Sequence, residues 1–149
     1  MELNTKGRYA VMALADLAKH GGDDALALST IADRQRISLP YLEQLFLKLR
    51  KAGLVDSSRG RLGGYRLARA AGDIDIASIL EAVDEPVEMT RCGGHAASPC
   101  LGTERCLTHD LWQVLGDRIR GYLSGVTLKD VLDGKLNEGK RAAVRENAA

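Results

Sequence analysis

All three cysteines of the chain and two of its three histidines fall within RCGGHAASPCLGTERCLTH, residues 91–109. The thiols and the last histidine follow the spacing Cys92-x7-Cys100-x5-Cys106-x2-His109. Such residues can staple a chain, catalyse a reaction or bind a metal. An odd cysteine count argues against staples, as does a reducing cytoplasm, where the chain is expected to reside. Nucleophilic catalysis by a Cys/His pair needs a third group to orient the imidazole, and none is evident near His109. Burial as small apolar side chains needs a core to enter, and this glycine-rich polar stretch offers little. Metal ligation is the reading left. Thiolates are soft donors that select zinc, copper(I) or iron–sulfur clusters over magnesium or calcium. Three cysteines and one histidine fill four positions and leave none open, which suits a tetrahedral zinc or the terminal ligands of a 2Fe–2S unit. The residues alone do not choose between the two. Glycines at 93, 94 and 102 let the backbone fold close around a metal. His95 is a spare donor, ranked below His109 because nothing constrains GGHAAS.

The elements around this stretch must position it. A first helix is expected over 5–20, with Thr5 as N-cap, Tyr9, Met12, Ala13, Leu17 and Ala18 near helical period, and Gly21-Gly22 as its stop. A second fits 29–36, capped by Ser29, with Ile31 and Ala32 inward. The third, SLPYLEQLFLKLRKAG at 38–53, has Ser38 as cap, Pro40 in the first turn and Gly53 as stop. Its apolar stripe is Leu42, Leu45, Phe46 and Leu49. Two short strands, 54–58 and 65–69, flank a glycine-rich turn. Ile74, Ile76, Ile79, Leu80 and Val83 mark a short element that packs back on this module. After the cysteine loop, a long helix over about 107–124 carries a broad apolar surface (Leu111, Trp112, Val114, Leu115, Ile119, Tyr122, Leu123). Thr127 is expected to cap a last helix at 128–133. The division expected is 1–84 for the first module, 85–110 for linker and loop, and 107–133 for the long and short helices. The tail, 134–149, has little to bury and is expected to be disordered.

Three helices followed by a two-stranded hairpin with a basic tip make a mainly α winged helix-turn-helix pattern. The third helix would present Pro40, Tyr41, Glu43, Gln44, Leu47 and Lys48 on its outward face, where Gln and Glu suit base edges and Tyr or Ser can reach base or phosphate in a major groove. Arg59 and Arg61 at the hairpin tip suit a minor groove or phosphates. Lys6 and Arg8 would anchor the backbone near the start of the first helix. Charge agrees: residues 1–69 hold 12 Lys+Arg against 7 Asp+Glu, whereas residues 70–149 hold 9 against 13. A net charge of +1 thus conceals a basic half and an acidic half. No apolar run approaches the ~20 residues needed to span a bilayer, and the N-terminus lacks a signal pattern. GRLGG is not a phosphate-cradling loop, since no GK[ST] follows and it lies between strands.

Five stretches together carry a family resemblance: LNTKGRYAV, ISLPYLEQLFLKLRKAGLV, RGRLGGYRL, AVDEPVEMTRC and CLTHDLW. With these the chain, from residue 3 to about 133, resembles the IscR family of bacterial iron–sulfur cluster regulators. The resemblance implies a homodimeric winged-helix repressor of cluster-assembly genes that takes its 2Fe–2S cluster from the assembly machinery. It implies Cys92, Cys100, Cys106 and His109 as ligands, Ser38, Tyr41, Glu43, Gln44 and Arg59 as DNA contacts, and the long helix as the dimer contact. A nitric-oxide-sensing branch with a 4Fe–4S cluster is similar but lacks this histidine. Three departures stand out. The first gap between cysteines is seven residues where the family usually has a shorter one, Pro40 replaces a small polar residue, and the hairpin gains Arg61.

Overall fold

The computed structural model describes residues 3–61, 63–93 and 99–136. His95, with the rest of 94–98, and the tail from 137 lie outside the described residues, as does Leu62. Helix α1 spans Thr5–His20, α2 Leu28–Gln35 and α3 Leu39–Lys51. Strands β1 (Val55–Ser58) and β2 (Gly64–Leu67) pair antiparallel, Val55 opposite Leu67 and Ser58 opposite Gly64. A 3-10 turn at Ala71–Asp73 leads to α4 (Ile76–Ala82), then α5 (His109–Gly125) and α6 (Leu128–Asp133). The expected winged helix-turn-helix architecture is present.

The core is aliphatic, built from Leu14, Leu17, Ile31, Leu42, Leu45, Phe46, Leu49, Val55, Ile74 and Ile79. Phe46 meets Tyr65 of the hairpin edge-on with ring centroids 4.9 Å apart. All four residues of the expected α3 stripe are buried. The stripe of α1 needs correction. Met12 is exposed and Ala18 only half-buried, and the buried face runs through Ala10, Ala13, Leu14, Asp16 and Leu17. Periodicity favoured Met12 as an apolar residue and passed over Asp16, whose carboxylate is buried because Arg34 and Gln35 satisfy it. Arg34 Nε donates to it at 2.9 Å and Gln35 Nε2 at 2.7 Å, tying α1 to α2. Burial pushes the Asp16 carboxyl up, but these hydrogen bonds and the Arg34 charge outweigh it and hold the group below the ordinary range.

Helix starts also differ from expectation. Asn4, not Thr5, caps α1 by accepting from the Thr5 N–H at 2.7 Å. Ala27 precedes α2 and no side chain caps it, so Ser29 lies inside the helix. Ser38 stands exposed at the N-cap of α3 without a side-chain cap bond. Thr127 does cap α6, through a capping box with Asp130.

The hairpin is tied to the core by Leu26, which exchanges backbone bonds with Tyr65 at 2.8 and 2.7 Å. Gly64 permits that approach, since a Cβ there would lie 2.1 Å from the Leu26 carbonyl oxygen. The segment after α5 returns likewise: Ile76 N–H donates to Val126 O and Leu128 N–H to Ile74 O, both at 2.9 Å. The C-terminal end of α5 is therefore clamped to the winged helix-turn-helix module. Its N-terminal end, which begins at His109, carries the cysteine loop.

Candidate metal centre and nucleic-acid interface

The loop closes by short turns. Gly93 N–H donates to Thr90 O at 3.1 Å, with Gly93 at φ +67°. Leu101 and Glu104 exchange backbone bonds at 2.9 and 2.7 Å around Gly102, at φ +52°. These turns bring Cys100 back toward the start of α5, where His109 N–H donates to Cys106 O at 3.1 Å. Two of the three glycines singled out in the sequence thus take conformations that disfavour a side chain.

The Sγ atoms of Cys92 and Cys100 and a ring nitrogen of His109 lie within 4.8 Å of one another. His109 is buried, and its Nδ1 stands 3.2 Å from Cys100 Sγ and 3.6 Å from Cys92 Sγ. A tetrahedral centre with metal–sulfur bonds near 2.3 Å and metal–nitrogen bonds near 2.0 Å has S···N edges of about 3.5 Å. The two S···N separations are thus close to those that a tetrahedral metal would impose, and the two sulfurs lie within 4.8 Å of each other. Cys106 adjoins Cys100, and the two thiols interact, but it falls outside the three-donor group. A cleft of about 460 Å³ is lined by Cys100, Cys106, His109, Thr90 and Trp112.

The thiols are not equivalent. A backbone hydrogen bond from Cys106 favours the Cys100 thiolate, but burial and the neighbouring sulfurs push its thiol up overall. The Cys106 thiol goes down, chiefly through its hydrogen bond with Thr108, 3.6 Å away. Trp112 Nε1 donates to the same Thr108 hydroxyl at 3.2 Å, which turns the hydroxyl proton toward the sulfur. Arg105 also belongs to the site. Its Nη1 contacts both ring nitrogens of His109, at 3.2 Å from Nδ1. A guanidinium only donates, so the ring nitrogen bonded to it is an acceptor. Sequence reading missed Arg105, Thr108 and Trp112. The i,i+4 spacing of Arg105 to His109 and of Thr108 to Trp112 was the available signal.

In the winged helix-turn-helix module, Ser38, Glu43 and Gln44 are exposed along α3. Tyr41 is half-buried, edge-on to Tyr9 with centroids 5.9 Å apart. Lys48 is half-buried, and its Nζ pairs with Asp84. Arg59 and Arg61 stand exposed at the hairpin tip. Arg8 is exposed and Lys6 half-buried near the start of α1. The DNA-contact residues expected from sequence thus lie on α3, the hairpin and the N-terminal turn of α1, distinct from the thiol site.

Along α5, Leu111, Val114 and Tyr122 are exposed, whereas Leu115, Ile119 and Leu123 are half-buried. No helix among the described residues is long and apolar enough to cross a membrane.

Residues 3–134 match the model of the Rrf2 family, described as an iron-dependent transcriptional regulator. The HTH-type transcriptional regulator IscR of Photobacterium profundum is 48% identical over 152 residues, covering 100% of this chain and 87% of that protein. The regulator of the same name from Vibrio atlanticus is 52% identical over 132 residues, 89% of this chain and 75% of that one. Among solved structures, T. potens IscR aligns with a TM-score of 0.73 at 37% identity, over 94% of this chain and 91% of that chain. CymR, the global cysteine regulator of B. subtilis, aligns at 0.75 and 32% identity, over 89% and 97%. These likenesses bear out the resemblance read from the five sequence stretches.

Proposed function

Since the chain belongs to the Rrf2 family of transcriptional regulators, we propose that it senses iron–sulfur status through one 2Fe–2S cluster held by Cys92, Cys100, Cys106 and His109. The family and the IscR-named relatives make it a DNA-binding regulator and not an enzyme. The cluster, the repression of cluster-assembly genes, the assembly machinery as cluster donor and the homodimer are the finer reading.

The observation that carries this reading is the meeting of Cys92, Cys100 and His109 within 4.8 Å, with Cys106 alongside. Two features add support. The donors are soft, and the family description names iron. When bound, such a cluster supplies a redox- and iron-sensitive link between the loop and α5. His109, the first residue of α5, would orient that helix against Cys92, which ends the linker from α4. Thr108 and Trp112 hold Cys106 at the helix entry. The exposed apolar face of α5, with Leu111, Val114 and Tyr122, suits the same face of a second copy, which would set two recognition helices about one turn of DNA apart, roughly 34–36 Å. Ser38, Tyr41, Glu43 and Gln44 would then read bases, and Lys6, Arg8, Lys48, Arg59 and Arg61 would hold phosphates or the minor groove.

Anaerobic purification, with iron and acid-labile sulfide counted per chain and a visible spectrum recorded, tests this reading. Two irons and two sulfides in a red-brown protein that bleaches on reduction are expected. A colourless protein with one zinc, or four irons per chain as in the nitric-oxide-sensing branch, would overturn it.

A further inference from the structure

We propose that Asp84 sets how strongly the protein holds DNA, by occupying Lys48 of the recognition helix with a carboxylate that a DNA phosphate must displace. The inference rests on the DNA-reading role proposed for α3.

Asp84 stands at an unexpected place for an acid. Helix α4 ends in a Schellman motif, with Asp84 N–H bonded to Glu81 O at 3.1 Å and Glu85 N–H to Leu80 O at 2.9 Å. Asp84 fills the left-handed position at φ +57°, and among the described residues only Arg36 is another non-glycine at positive φ. Glycine would fold here with less strain. The turn does not require a carboxylate, since glycine or asparagine would close it as well. The carboxylate serves what it reaches.

What it reaches is the outward edge of α3. Asp84 Oδ2 lies 2.7 Å from Lys48 Nζ, with side-chain exposures of 72% and 41%. An ion pair this exposed contributes little to stability, and a competing anion or salt can break it. Lys6 at the start of α1 and Lys51 at the end of α3 add to the positive field on the same carboxylate. Glu85 repeats the pattern. Its Oε2 accepts the Gly7 N–H in the first turn of α1, where a Cβ on residue 7 would lie 2.5 Å from that oxygen. Lysines and helix N-terminal N–H groups are what phosphates take on a DNA-reading surface. Two adjacent carboxylates of the linker hold them here instead.

The same segment runs on to α5. Val87 O accepts from Arg120 Nη1 at 2.8 Å, and the Met89 side chain packs where a Cβ on Gly116 would stand, 3.3 Å away. Six residues, 84–89, thus connect Lys48 to the helix that begins at His109. A shift of α5 would bear on whether Asp84 stays on Lys48.

The test uses the full chain, with Asp84→Gly and Asp84→Asn, both residues that accept the left-handed conformation. Binding to a mixed-sequence DNA duplex is followed by fluorescence anisotropy across a potassium chloride series. Salt itself weakens the Asp84–Lys48 pair of the wild type, so both variants should bind tighter at low salt, by roughly threefold to tenfold, with the gain shrinking as potassium chloride rises and the log–log salt slope therefore steeper than in wild type. In a Lys48→Ala background the same substitutions should give a clearly smaller gain, that of removing one negative charge alone. A structural role alone would move the melting temperature and not the slope. Wild-type binding with affinity and slope unchanged or weakened in both variants would overturn the proposal and leave the DNA-reading role intact. Wild-type protein that fails to bind duplex DNA would overturn both.

Discussion

His109 is the residue on which the site turns, because it faces two sulfurs and opens the helix that links the loop to the rest of the fold. In the proposed ligand set, replacing any one thiol would leave three ligands and an open position. Cys100→Ser, at the buried sulfur of the set, is expected to lower iron retained through anaerobic gel filtration by at least about tenfold. Iron counts on the wild-type and variant proteins check this, and equal retention would remove Cys100 from the ligand set. This much was legible in the sequence, since three thiols and a histidine crowded into a polar stretch have few other uses. Arg105 was not. Its contact with His109 depends on how the Leu101–Glu104 turn aims the segment before α5, and spacing alone does not fix that direction.

At the scale of elements, the join between α1 and α2 rests on a buried charge. Asp16→Asn should cost about 1–3 kcal/mol at neutral pH, because it removes charge-assisted hydrogen bonds from Arg34 and Gln35. The sign of its pH dependence follows from its lowered carboxyl. The stabilisation is complete above the unfolded carboxylate range and fades as pH falls through the folded value. Denaturant melts of wild type and Asp16→Asn should therefore differ at pH 7 and converge in acid, and a constant gap would contradict this. Gly64→Ala should destabilise the hairpin by roughly 1–3 kcal/mol, since the Leu26 backbone occupies the space of a Cβ, and thermal melting measures it. On α3, Glu43→Ala is expected to relax base preference, because a carboxylate disfavours sites that present only acceptors. Selection from random duplexes reads this out, and unchanged sites would exclude Glu43 from discrimination. The elements were legible where the signals agreed, as in the apolar stripe of α3 and the cap of α6. They were misread where a polar residue was buried by a partner, as at Asp16, or where a cap came one residue early, as at Asn4.

At the scale of the whole molecule, α5 joins the thiol site to the winged helix-turn-helix module. Its C-terminal end is held to α4 through Val126 and Leu128, and its N-terminal end carries His109. Its exposed apolar residues include Leu111 at 59% and Val114 at 52%, more apolar surface than a helix facing only water needs. The double variant Leu111→Asp/Val114→Asp is expected to sediment as a monomer where the unaltered chain sediments as a dimer, and an unaltered chain that is monomeric would contradict the dimer. The breadth of this face could be read from sequence. The clamp at its far end could not, because two backbone bonds between distant segments leave no trace in composition. The central claim is that one chain couples the thiol site to DNA reading. The most direct test measures the DNA sites selected by one anaerobic preparation before and after a chelator strips its iron. Affinity or preferred sequence is expected to change in wild type and to stay constant in a Cys92→Ser variant. Identical binding by the iron-loaded and iron-stripped wild-type protein would contradict it.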